Sequence, residues 1–156
     1  MKKLFTFIIT FFACAITMNA QVRAYKHDAI RCLGVGQDGS QTLCITNYAK
    51  KKDEAKEQAL KDAVWVVLFE GVKQGSGGCN KRPIISDIRA YENHESYFNV
   101  FFTSTEGYVL YAKAISKPKL IRKVNGRKRN GCEYETTVRV ACTNLKYRMK
   151  GDNIIP

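Results

Sequence analysis

Apolar and polar positions change rhythm several times along the chain, and each rhythm predicts a different element. Residues 4–18 are apolar apart from threonines. Residues 30–36 and 41–48 alternate with period two around Asp38-Gly39, the pattern of two strands joined by a turn. Across 50–72 the period lengthens. Ala55, Ala59, Leu60, Ala63, Val64, Val67 and Leu68 recur at helical spacing, with Lys52, Asp53, Lys56, Glu57 and Lys61 on the other face. Glu57 precedes Lys61 by one turn, the favourable order for a charge pair. The line Ala55, Ala59, Ala63 predicts close approach to a sheet. Trp65 and Phe69 widen the apolar face, so the second half of this helix is expected to be buried on two sides.

The helix should stop near Gly71, before a glycine-rich loop at 75–78 that is expected to be a flexible connector. Tyr97, Phe98, Phe101 and Phe102 lie on one face of a helix over 92–103, although aromatic residues also suit a strand. Residues 107–115 read as a strand, with 119–124 continuing it past Pro118. Asn125-Gly126 is a hairpin-turn signal. Residues 132–142 form the return strand, with Tyr134, Thr136, Val138 and Val140 on one face. Residues 144–150 suit a short capping helix. The predicted fold is α+β, in the order ββααββ(α): an antiparallel sheet with two helices packed on one face. It forms a single domain over 30–156, preceded by a flexible segment at 21–29.

The first 20 residues change the picture of where this domain works. Lys2 and Lys3, the apolar run and Ala20 before Gln21 make the three parts of a cleavable secretory signal. The run is shorter than the roughly 20 residues of a membrane helix. Two other readings stay open: an uncleaved anchor, and a lipoprotein modified at Cys14 within Phe11-Phe12-Ala13-Cys14. No second apolar span follows, so the product is expected in the periplasm or outside the cell. Cleavage leaves 136 of the 156 residues and lowers the formal charge from +12 to +10 by removing two lysines. A basic exported domain favours an anionic partner, either an envelope component or an acidic protein. Nucleic acid is disfavoured outside the cell.

Five cysteines remain: Cys32, Cys44, Cys79, Cys132 and Cys142. Oxidising conditions favour disulfides, and the odd count leaves at least one thiol unpaired within the chain. Register argues for one pair. Placing Leu33, Val35, Leu43 and Ile45 toward the core requires a three-residue loop of Gln37, Asp38 and Gly39, with Gly39 left-handed. Opposed positions then add to 76, and Cys32 faces Cys44. Cys132 and Cys142 share one strand and are too far apart to bond each other.

Catalytic and cofactor motifs are weak. The 75–78 loop follows a helix rather than a strand and lacks the Gly-Lys-Ser/Thr of a phosphate loop. Cys79 with His94 is a conceivable nucleophile and base, but nothing in the sequence brings the two together. Glu92, His94 and Glu95 suit a helix start without any metal. With no Cys-x-x-Cys and two separated histidines, no zinc site and no cofactor is implied. The basic residues are the strongest local feature. Lys117, Lys119, Arg122, Lys123, Arg127, Lys128 and Arg129 fall within 13 positions that hold no carboxylate. They flank the predicted turn and would project together from a hairpin tip.

Ala55-Lys56-Glu57-Gln58-Ala59, Asp62-Ala63-Val64 and Leu68-Phe69-Glu70-Gly71-Val72, with the Cys79 loop, Leu145-Lys146 and Ile154-Ile155, carry a resemblance. The chain resembles a family of small secreted proteins from Bacteroides-type bacteria and, in layout, the exported domains related to the lipoprotein LPP20. The resemblance implies a structural layout and transfers no catalytic residue and no substrate. The chain departs from it in its extra cysteines and basic hairpin. The expectation is a non-catalytic envelope or secreted binding module. The alternative is a small hydrolase or redox protein using Cys79 or His94. The mature protein is expected to begin near Gln21, and the intact mass of material from the periplasm or culture fluid checks this. A species keeping residues 1–20, or carrying diacylglycerol on Cys14, contradicts it.

Overall fold

The computed structural model describes residues 29–75, 77–126 and 129–156, with the backbone alone at 124–126, 129 and 130. Residues 1–28, which hold the expected secretory signal and flexible segment, lie outside the described residues. Strands β1 (Ala29–Val35) and β2 (Gln41–Ala49) form the first hairpin. Helix α1 (Lys52–Trp65) continues directly as one π-helical stretch, Val66–Glu70. Then come α2 (Ala90–Asn93), α3 (Glu95–Phe101), a 3-10 turn (Tyr108–Leu110) and the short strand β3 (Ala112–Ala114). Strands β4 (Lys119–Gly126) and β5 (Arg129–Val140) and helix α4 (Cys142–Gly151) complete the chain.

The sheet is antiparallel and five-stranded, with β1, β2 and β5 side by side. Both β3 and β4 pair with the free side of β5, one after the other. Residues 119–126 thus follow β3 along the same side of β5, but as a separate strand after a break at 115–118, so the expected order ββααββ(α) is met only in part. The strand expected over 107–115 does not span that range. Tyr108 turns inward and is buried, the chain coils through the 3-10 turn, and only three residues pair. The helix expected over 92–103 is broken at His94, whose φ of −123° and ψ of 30° end α2. The aromatic spacing still works, because Phe98, Phe101 and Phe102 are all buried.

Alternation on β5 builds the core. Tyr134, Thr136, Val138 and Val140 are buried on one face, as their spacing predicts. Val138 and Val140 pack with Leu43 and Ile45 of β2 and with Ala59 and Ala63, which have no exposed surface, while Tyr134 packs with Ala49 and Ala55. Small side chains there let α1 approach the sheet. Asn47 ties the helix to β2 by donating its side-chain amide to the Ala55 carbonyl at 2.9 Å. The π stretch changes the pitch so that Val66, Val67 and Leu68 are all buried, which accounts for the two-sided burial seen in the sequence. Phe69 packs on Phe98 with ring centroids 5.0 Å apart, joining α1 to α3. Leu145 and Met149 bring α4 into the same cluster.

The first hairpin corrects the register argument. Near the turn the expectation holds: Val35 pairs with Gln41 and Gly34 with Thr42, and Gly39 has φ 75°. A bulge at Leu33 then shifts the register, so that Cys32 pairs with Leu43 and Arg31 with Cys44. Ile30 and Cys32 face the core, whereas Leu33 and Val35 are 54% and 49% exposed. Cys32 and Cys44 thus point to opposite faces and do not bond. Cys32 is joined instead to Cys79, with Cα atoms 5.8 Å apart.

The loop carrying Cys79 is no loose connector. The Cys32 amide donates to the Gln74 carbonyl at 2.8 Å, and Gln74 forms a parallel bridge with Arg31. Gly75 has φ 100°, and a Cβ there would lie 2.4 Å from the Cys32 carbonyl oxygen, so only glycine fits this approach. The segment covers the outer edge of β1, and the disulfide fastens it there. Asn125 and Gly126 also depart from expectation. They pair with Asn130 and Arg129, so the strands run through them, and residues 127–128 lie outside the described residues. Cys44, Cys132 and Cys142 are free thiols, two of them buried. Burial pushes the Cys142 thiol up to about 11.

Non-reducing peptide mapping should therefore find Cys32 linked to Cys79 and three thiols that titrate fully only after denaturation. Cys79→Ser should lower stability by about 2–4 kcal/mol. A Cys32–Cys44 peptide would contradict the observed register.

Candidate functional site

Strand pairing arranges side chains in rows on the sheet face turned away from the helices. One row is Thr42, Arg139 and Lys113, and the next is Arg31, Cys44 and Thr137. A third is Thr46, Glu135 and Lys119, and the last is Tyr48, Glu133 and Arg122. Among the described residues, five cations and two carboxylates share this face. Both carboxylates are engaged. Arg31 Nη2 donates to Glu135 Oε2 at 3.0 Å, and Arg122 Nε donates to Glu133 Oε2. Arg122 also donates to the Tyr48 hydroxyl at 2.9 Å. Arg31 further contacts Cys44 Sγ at 3.5 Å, and burial raises the pKa of that thiol. Among the described residues, Lys113, Lys119 and Arg139 form no ion pair.

The basic residues found in the sequence fall along one edge. Lys117 is exposed between β3 and β4, and Lys119, Arg122 and Lys123 are exposed on β4. Lys119 and Arg122 lie on the open face, while Lys123, opposite Cys132, lies on the helix side. Arg129 begins β5, and its side chain, like Arg127 and Lys128 entirely, lies outside the described residues. The last β2 pair joins Ala49 to Cys132, so the hairpin beyond Lys123 extends past β2. Of the basic run, Lys119, Arg122 and Lys123 are thus carried on β4, where Lys119 and Arg122 lie level with β2, and Lys117 precedes the strand. Arg31, Lys113 and Arg139 join the same face, but no sequence-local signal marks them. Only the register of β1, β3 and β5 brings them to it.

The cysteine and histidine candidates are not brought into one reactive arrangement. Cys79 Sγ is bonded to Cys32 and offers no thiolate. His94 sits half-buried at the break between α2 and α3, where its carbonyl accepts the Phe98 amide at 3.1 Å. Glu92 and Glu95 are exposed beside it. Among the described residues, no group of three or more His, Cys, Asp or Glu is placed to hold a metal ion. No helix among them is long and apolar enough to cross a membrane.

A concavity of about 510 Å³ is lined in part by Ser96, Tyr97, Val100, Phe101, Glu106 and Arg148. Asp152 organises one wall. Its Oδ2 accepts from the Tyr97 hydroxyl and from Arg148 Nε, each at 2.5 Å. Burial opposes ionisation of this carboxyl, but the two donors outweigh it and hold its pKa below the ordinary value. Burial first, and Asp152 second, raise the Tyr97 pKa. With Glu106 and Arg148 both at its border, this groove has no single sign of charge.

Comparisons with protein families, curated proteins and solved structures found no match to this chain.

The Asp152 cluster generates a pH prediction. A carboxyl with a depressed folded pKa stabilises the fold fully above its unfolded value and loses that contribution as pH falls through the folded value. Asp152→Asn should therefore melt at a lower temperature than the wild type near neutrality, and the gap should close below about pH 4. Thermal denaturation across that range checks it. A gap that widens in acid contradicts it.

Proposed function

We propose that the chain is an exported, non-catalytic binding module that docks an anionic partner, an envelope component or an acidic protein, through the β4–β5 hairpin. The carrying observation is the imbalance around that hairpin. Lys113, Lys117, Lys119, Lys123 and Arg139 form no ion pair among the described residues, and Glu135 and Glu133 on the same face already hold Arg31 and Arg122. A surface that only needed solubility would be served by interspersed signs. Here like charges adjoin on one edge and one face, which gives long-range attraction for a polyanion. The buried disulfide supports an oxidising compartment. The absence of a thiolate at Cys79 weighs against using that sulfur as a nucleophile.

Reversing Lys119, Lys123, Arg127 and Arg129 to Glu tests the reading. Each cation near an anionic surface contributes roughly 1 kcal/mol, so the variant should bind an anionic polysaccharide matrix at least about 100-fold more weakly. Wild-type retention should also fall as salt screens the contact. The fold should persist, since surface changes cost about 0.5 kcal/mol or less each. Unchanged retention in the folded variant overturns the docking role.

A further inference from the structure

The edge that carries the lysines also carries apolar side chains. Ile115 is 48% exposed, Leu120 41% and Ile121 49%, all within nine residues of chain that also hold Lys117, Lys119, Arg122 and Lys123. Lys119 adjoins Leu120 and Arg122 adjoins Ile121 along β4, and Lys117 follows Ile115 by two residues. A sugar polyanion has no apolar phase to receive such side chains, and a lipid interface has one.

The backbone of this edge is poorly suited to the other obvious partner, an extended peptide added as a sixth strand. Strand addition needs an uninterrupted row of free amides and carbonyls. Pro118 has no amide hydrogen. Ile121 is the extra residue of a bulge, with Leu120 opposite Tyr134 and Arg122 opposite Glu133. A bulge bends a strand and interrupts its ladder, and lysines along an edge discourage pairing. What this edge presents is its side chains.

We infer that the β3–β4 edge seats on an anionic phospholipid surface, with Leu120 and Ile121 entering the interface and Lys117, Lys119 and Lys123 contacting lipid phosphates. The inference rests on the docking role above and names its partner. Amphipathic attachment of this kind combines buried apolar area with attraction to anionic headgroups. Arg122 is held by Glu133 and Tyr48, so it is fixed on the open face while the lysines remain free to reach.

The test uses the processed protein with phosphatidylcholine vesicles, with and without phosphatidylglycerol, and with soluble dextran sulfate and polyglutamate as lipid-free polyanions. Cosedimentation should require phosphatidylglycerol. Lys119→Glu with Lys123→Glu should weaken binding to vesicles and to dextran sulfate alike, by roughly fivefold or more per lysine. Leu120→Ser with Ile121→Ser should weaken vesicle binding and leave dextran sulfate binding unchanged. A readout that does not depend on the tolerance of those serines is Ile121→Trp. Its added emission should shift to the blue on anionic vesicles, while the wild type, with Trp65 alone, should not shift. Vesicle binding unaffected by the serine pair, together with no shift in Ile121→Trp, overturns the lipid assignment but leaves anionic docking intact. Binding to polyglutamate without vesicle binding also overturns it and points to an acidic protein segment. Charge variants that bind every probe as the wild type does overturn the docking role itself.

Discussion

Strand β5 pairs along nine residues with β2 on one side, and with β3 and β4 in succession on the other. Every other feature of the fold is positioned by that central strand. Its even positions, from Tyr134 to Val140, are buried under α1 and form the floor of the core. Its odd positions, from Glu133 to Arg139, fall on the opposite face and set the rows in which cations and carboxylates meet. A slip of one residue would exchange the two sets, placing Glu133, Glu135 and Arg139 under the helix. Burying those charges without partners would cost far more than any surface pair returns. One alternation therefore specifies both the core and the candidate docking face.

Patterns contained within one segment were legible in the sequence. The alanine line of α1 required a close neighbour and has one, and the aromatic spacing at 97–102 required a buried helical face and has one. The end of the helix at Gly71 and the inward set on β5 follow from residues close together in the chain. The first hairpin shows where such reasoning ends. Turn chemistry correctly set the pairing nearest Gly39. The bulge at Leu33 depends on a different segment, the 74–79 stretch, which lies against β1 and bonds Cys79 to Cys32. Once Cys32 must face the core to meet Cys79, Leu33 is the residue left unpaired and exposed. No property of residues 30–45 alone encodes that contact.

The same distinction runs through the candidate site. The basic run at 117–129 is contiguous and was visible at once. Arg31 and Arg139 lie 108 positions apart and share a face with Lys113 only because three strand pairings place them there. Asn125-Gly126 was misread for a related reason. Its local preference for a turn is small beside the register of an eight-residue strand on a twelve-residue partner, which carries the pairing through both residues.

Charge on an unprotected edge has two physical consequences that are hard to separate. Lysines on β4, with Pro118 and the bulge at Ile121, keep the sheet from pairing with another chain. That need alone would account for Lys119 and Lys123, but not for the rest of the pattern. An edge guarded only against pairing gains nothing from leaving Ile115, Leu120 and Ile121 half exposed, since apolar side chains promote the association that the lysines oppose. It also has no use for further cations on the open face, away from the edge, at Lys113 and Arg139. The carboxylates sharpen the difference. Glu133 and Glu135 each hold an arginine, and exposed pairs of this sort contribute about 1 kcal/mol or less to stability. Their larger effect is to anchor Arg122 and Arg31 in place, while among the described residues Lys113, Lys117, Lys119 and Lys123 form no ion pair. A guarded edge needs repulsion from its own kind. The proposed lipid surface, both anionic and apolar, would meet the lysines and the exposed apolar side chains of this edge together.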